Sequence, residues 1–182
     1  MTGGRWRWAR WARDPEHRRR VALLHGAPVF TGLPRRLLGR LATRFFEKGY
    51  APGELVFREG DPGRALFVVL EGAVAVSRAV PDGEQVVRTP GPGACFGEMA
   101  LIDDFPRSAT VRITAPSRLL ILYKSDFDTL IEGDPRIALV TLRNLLRMLA
   151  AYVRASAPVA QPASGVDPPG SGDGAADGDG EP

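Results

Sequence analysis

The sequence predicts an α+β protein, a jelly-roll-type β-roll flanked by N-terminal helices and a long C-terminal helix. Three observations predict it. Between residues 54 and 123, short runs of strand-type residues alternate with Gly- and Pro-rich turns, the pattern of a sandwich or roll. Before them, apolar residues recur at helical spacing over residues 34–46. After them, a mostly apolar stretch starts at Asp134-Pro135 and meets no further Gly or Pro before Arg154.

The 182 residues leave room for one sizeable core. Hydrophobic residues at 44% and charged residues at 25% are ordinary for a globular domain. The net charge of +3 hides a basic start and an acidic end. No apolar run reaches bilayer length, and Val21–Leu24 is too short for a signal-peptide core. Cys95 is the single cysteine, so no intramolecular disulfide forms; between Ala94 and Phe96 it is expected to be a small buried apolar residue. A cytoplasmic location and no transmembrane segment are the expectation.

Taken in order, residues 1–13 interleave all three tryptophans with arginines. Such a mix suits acidic membranes or nucleic acid, but the segment is short and is read as a basic, poorly ordered N-terminus. Asp14 caps a helix over 14–26, with Pro15 in its first turn and Gly26 as its stop. His17 and His25 near its ends have no companions at ligand spacing, so no metal site is assigned. A second helix runs from about Pro34 to Phe46 on the stripe Leu37, Leu38, Leu41, Phe45 and Phe46, with Arg35, Arg36, Arg40 and Arg44 as its solvated face. Strands follow at 54–57, 65–70, 73–77, 85–89, 109–114 and 118–123, and Asp82-Gly83 marks a hairpin.

Ser125 or Asp126 caps a short helix over 126–132 that stops at Gly133. Asp134-Pro135 then caps and starts the long helix. Its Arg136, Arg143, Arg147 and Arg154 share one narrow sector, so its apolar stripe is about twice the roughly 100° that one core requires. One flank suits the roll or its pocket. The other calls for a partner, and the economical one is the same helix of a second subunit, a homodimer through residues 135–154. The competing reading is that the two N-terminal helices cover both flanks. Residues 157–182 contain no Leu, Ile, Met or aromatic residue and are expected to be a disordered acidic tail. The domain of interest is therefore 14–156.

Chemistry concentrates in Phe96-Gly97-Glu98-Met99-Ala100-Leu101-Ile102-Asp103-Asp104-Phe105-Pro106-Arg107-Ser108-Ala109-Thr110-Val111. Gly97 permits close approach of backbone to a ligand. Residues 98–102 suit one helical turn whose first amides face an anion. Arg107 offers a permanently charged planar fork for phosphate. Glu98, acceptor-only when ionised, suits a sugar hydroxyl. The bland alternative is a Glu98–Arg107 salt bridge. Asp103-Asp104 reads as surface charge, since adjacent loop carboxylates rarely converge on one atom. With no nucleophile–base arrangement, no metal cluster and no P-loop, no catalytic residue is assigned and an enzyme is not expected.

This run resembles the phosphate-binding cassette of the cyclic-nucleotide-binding domain family, found in cyclic-nucleotide-dependent kinases, gated channels and bacterial catabolite activators. The acid precedes the arginine by the family's interval, the Pro-Arg-small-Ala pattern is in place, and the glycine turns at 53, 60–63 and 72 resemble the family's β-roll. The likeness covers about residues 28–154. It implies a ligand site at Phe96, Gly97, Glu98, Met99, Ala100, Arg107, Ser108 and Ala109, with phosphate on Arg107 and the cassette amides, the ribose 2′-OH on Glu98, and the long helix capping the base. Serine at 108, as in the bacterial cAMP activators, tilts the expectation from cGMP to cAMP. Departures are Met99, where Leu or Ile is usual, and the Asp103-Asp104 pair beside a phosphate site. No cofactor beyond the nucleotide is implied. No element resembling a recognition helix follows the long helix, so DNA binding is not expected. Output would pass through the helix or an unknown effector protein. Two other readings stay open, an interaction module that binds no nucleotide and a truncated transcription regulator.

Overall fold

The computed structural model describes residues 14–156; the basic segment 1–13 and the acidic tail 157–182 lie outside the described residues. Helix α1 (Pro15–Gly26) begins where Asp14 accepts a hydrogen bond from the Glu16 amide at 3.0 Å. It buries only Leu24 fully, with Val21 and Leu23 packed at the core's edge. Charge does much of the remaining attachment. Arg19 pairs with Glu71, Arg20 with Glu47 at 2.7 Å, and Arg118 reaches Glu47, Glu16 and Glu71. A 3₁₀ turn (Pro28–Phe30) then buries Val29 and Phe30.

Helix α2 (Arg35–Ala42) buries Leu37, Leu38 and Leu41, as its stripe predicts, and also Ala42. It ends four residues before the expected Phe46. The Thr43 hydroxyl donates back to the Arg40 carbonyl at 2.8 Å, and the Arg44 amide to that of Leu41 at 2.9 Å, which tightens the chain out of the helix. Phe45 still packs edge-on against Phe30. Phe46 instead opens β1 (Phe46–Tyr50), a strand the sequence reading missed, and is exposed. Nor is the arginine face wholly solvated: Arg40 pairs with Asp134 at 2.6 Å and Arg44 lies 3.8 Å from Asp126.

The roll is one antiparallel sheet in the order β1-β6-β3-β4, with β2 (Leu55–Phe57) on β6 and β5 (Cys95–Phe96) on β3. Its two long strands, β3 (Ala65–Val80) and β6 (Thr110–Tyr123), each join what the sequence reads as two strands. The breaks are kinks within a continuing ladder. Gly72 takes φ +85°, and a Cβ there would collide with Ser117 and with the Pro116 carbonyl. The Ala73 amide donates to Ser117 Oγ at 3.1 Å, which ties the two kinks together. β4 (Gly83–Arg88) returns from β3 through the hairpin expected at Asp82-Gly83.

Alternation along β3 splits the core in two. Ala65, Phe67 and Val69 point into the roll, with Phe96, Val111, Ile113, Leu119 and Ile121. Leu66, Val68 and Leu70 point outward, under the helices, with Phe30, Leu38, Phe127 and Ile137. A strand covered on both faces needs the unbroken apolar run seen at 65–70. Helix α3 (Lys124–Gly133) starts one or two residues before the expected Ser125 or Asp126 and has no side-chain cap. Helix α4 (Pro135–Ser156) is the long helix, opened by Asp134, whose Oδ1 accepts from the Arg136 amide at 3.2 Å. Among the described residues no helix is long and apolar enough to cross a membrane.

Candidate ligand-binding site

One cleft of about 1010 Å³ opens between the roll's inner face, the residues after β5, and the last turns of α4. All eight residues expected to form a ligand site line it, namely Phe96, Gly97, Glu98, Met99, Ala100, Arg107, Ser108 and Ala109. So do Phe57, Arg78, Val87, Arg88, Leu149, Tyr152 and Val153, which the sequence reading did not assign to it.

Local sequence builds the floor. Gly97 sits at φ +73° and turns the chain from β5 into a 3₁₀ turn (Glu98–Leu101). The Ala100 amide is the first to bond back, to the Gly97 carbonyl at 3.3 Å, so the Glu98 and Met99 amides lie ahead of the turn's own hydrogen bonds. The side of Gly97 that a Cβ would fill is taken by Arg107: a Cβ would stand 2.6 Å from its Nη1. The glycine is therefore required by the arginine beneath it as well as by its own φ, which widens the role expected from the sequence.

Arg107 is only 9% exposed. Its Nη1 donates to the Gly97 carbonyl at 3.1 Å and its Nη2 to the Ala65 carbonyl at 2.9 Å. Its guanidinium carbon lies 4.1 Å above the Phe57 ring and 5.6 Å from the Phe67 ring, a favourable cation–π arrangement. Phe67 in turn stacks on Phe96 at 5.1 Å. Backbone hydrogen bonds to Asp61 and from Gly60 clamp the loop on either side of the arginine. Burial pulls the Arg107 pKa down, while the charges of Glu98 and Asp61 hold it up. Two of its five N–H groups serve carbonyls, and its Nε is buried with no partner. The cation is thus fixed in place with donor capacity to spare.

Glu98 is 5% exposed. It makes no ion pair with Arg107; the Tyr152 hydroxyl donates to its Oε1. Arg88 completes this corner, donating through Nη2 to the Cys95 carbonyl at 2.9 Å and through Nη1 to the Tyr152 oxygen at 3.5 Å. Burial, then the charge of Glu98, push the Tyr152 pKa up to about 12. Burial does the same to Cys95, also to about 12, so its thiol stays protonated and inert. The site places an anchored cation and a buried carboxylate in one cleft whose lining also includes apolar side chains. That combination suits a small anion that also carries a hydroxyl and an apolar face.

The model of the family described as "Cyclic nucleotide-binding domain" matches residues 47–134. The N-terminal domain of a transcriptional regulator from Streptomyces coelicolor, a solved structure, superposes with a TM-score of 0.67 at 33% identity, covering 76% of this chain and 97% of that one. The chain belongs to the cyclic nucleotide-binding domain family. The cyclic AMP receptor protein of Thermus thermophilus is 34% identical over 132 residues, 72% of this chain and 59% of the relative. A cyclic nucleotide-gated potassium channel of Mesorhizobium japonicum is 35% identical over 133 residues, 73% of this chain and 36% of the relative. The domain thus spans about three fifths of one curated relative and about a third of the other, and the rest of each has no counterpart in the match.

Proposed function

We propose that the chain is a cyclic-nucleotide sensor, cAMP being the preferred ligand, that acts as a binding module rather than an enzyme. The observation that carries this reading is the single cleft in which Arg107, with unused donors, and Glu98 stand together on the cassette. The phosphate is held by the remaining N–H groups of Arg107 and the cassette amides, and the ribose 2′-OH by Glu98. Val87, Leu149 and Val153 offer apolar surface for the base. Ser108, at the cleft edge, supports cAMP over cGMP as the resemblance implies, and the name of the Thermus relative points the same way.

The signal leaves through α4, as a shift between two placements of the helix that is limited by the ligand's differential affinity for them. Its outer flank carries Leu139, Leu142 and Leu146, all exposed and spaced i, i+3 and i+7. That is a heptad seam, and a second copy of α4 is the partner it fits.

Calorimetric titration with cAMP and cGMP tests the proposal. The expected result is saturable heat, stronger with cAMP. Arg107→Ala should weaken binding by roughly 30-fold or more, the effect of truncating one member of a buried charged contact. Because Arg107 also holds two carbonyls, Glu98→Gln serves as a second variant and circular dichroism checks both folds. No heat with either nucleotide, on folded protein free of co-purified nucleotide, overturns the reading in favour of a protein-interaction module.

A further inference from the structure

We propose that Tyr152 is a positioning residue: its hydroxyl engages one oxygen of Glu98 so that the other is presented to the ligand, which ties the ligand to α4. The proposal rests on the cyclic-nucleotide reading of the cleft and adds the route by which occupancy reaches the helix.

The geometry is a directed chain. Arg88 on β4 donates to the Tyr152 oxygen, and Tyr152 on α4 donates to Glu98 Oε1 on the cassette. Each donor polarises the next, which strengthens the run. Arg88 is itself fixed by the Cys95 carbonyl one residue before Phe96. A carboxylate has two oxygens, so Tyr152 on Oε1 leaves Oε2 available to a hydroxyl. Glu98 is almost fully buried, and a buried carboxylate needs fixed donors to hold one orientation. The raised Tyr152 pKa keeps the donor proton in place at neutral pH.

The chain is also a polar hold of the helix on the roll at that end. Among the described residues, the polar contacts from the last turns of α4 to the roll both pass through the Tyr152 hydroxyl. A ligand hydroxyl on Oε2 therefore steadies the carboxylate that α4 holds by Oε1. Loss of either bond should weaken the other.

Titrating wild type and Tyr152→Phe with cAMP and with 2′-deoxy-cAMP tests this, with the matching cGMP probes run beside them. Phenylalanine keeps the ring, and thermal melting checks the fold. The expected result is that Tyr152→Phe weakens cAMP binding about 3- to 10-fold, the scale of the net contribution of one typical hydrogen bond. The penalty for removing the 2′-OH should then shrink in the variant, giving a clear coupling in the four-membered cycle. Additive effects within about 2-fold, or tighter binding by Tyr152→Phe, overturn the proposal while the sensor reading stands. Wild type that binds none of the probes overturns both.

Discussion

Leu145 and Leu146 are neighbours on α4, yet one is 1% exposed and the other 65%. The difference runs the length of the helix. Its first half is built into the fold: Ile137, Thr141, Asn144 and Leu145 are all buried, and Asn144 Nδ2 donates to the Val29 carbonyl at 3.1 Å and the Thr31 carbonyl at 2.8 Å. Its second half rests on the cleft through Leu149, Tyr152 and Val153 and leaves Leu146 bare. A helix fixed at one end and lightly held at the other can transmit a change at the cleft without unfolding. In the sensor proposed above, the fixed half supplies stability and the loose half supplies response.

Substitutions should separate the halves, and the largest effect belongs at the fixed end. Leu145→Ala should destabilise the fold by about 2–5 kcal/mol, the range for emptying a buried leucine site, as read from denaturant midpoints. A loss below about 0.5 kcal/mol would show that the first half is not anchored as described. Next comes Asn144→Ala, which leaves the Val29 and Thr31 carbonyls without their donor. The expected loss is about 1–3 kcal/mol, with little change in nucleotide affinity. Leu146→Ala should change monomer stability by no more than about 0.5 kcal/mol. Leu146→Glu should shift any dimer toward monomer in sedimentation analysis, and an unchanged sedimentation coefficient for a dimeric wild type would remove α4 from the seam.

The smallest effect is in alkali. The Tyr152 pKa in the folded protein is raised to about 12 from 10.0. Its contribution to stability is therefore complete below about pH 10 and is lost as the pH climbs through the folded value. The absorbance titration of wild type minus Tyr152→Phe should show one phenol ionising near pH 12. Ionisation near 10 would mean that the hydroxyl does not hold Glu98 and that the loose half is looser still.

What the sequence made legible follows from how local each feature is. The cassette is one contiguous run, and its eight expected residues all reach the cleft. The β-roll, the hairpin and the long helix were equally plain, each written in a short-range period. Tyr152 was not. It lies 54 residues from Glu98, and in the helical pattern it counts as one more apolar position. Arg88 is hidden the same way, at the end of an exposed strand. Strand β1 was masked because Phe46 continues the apolar spacing of α2, and the bonds that turn the chain out of that helix, from Thr43 and Arg44, are not written in that spacing. The long strands were split because their kinks carry turn residues, whereas the ladder that bridges them is a tertiary fact. The Glu98–Arg107 salt bridge, the bland alternative, does not form because each side chain has a different partner.

The belt of charge around Arg118 has an environmental consequence. Helix α1 meets β1, β3 and β6 through arginines and glutamates whose side chains remain partly in water, Arg118 reaching three carboxylates at once. Dissolved ions compete with such contacts, and at about 1 M salt the screening length falls to about 3 Å, shorter than the spacing across the belt's longer pairs. The apolar cores beneath the sheet feel no such competition. The grip of the N-terminal helix therefore varies with the saltiness of its surroundings while the rest of the molecule holds.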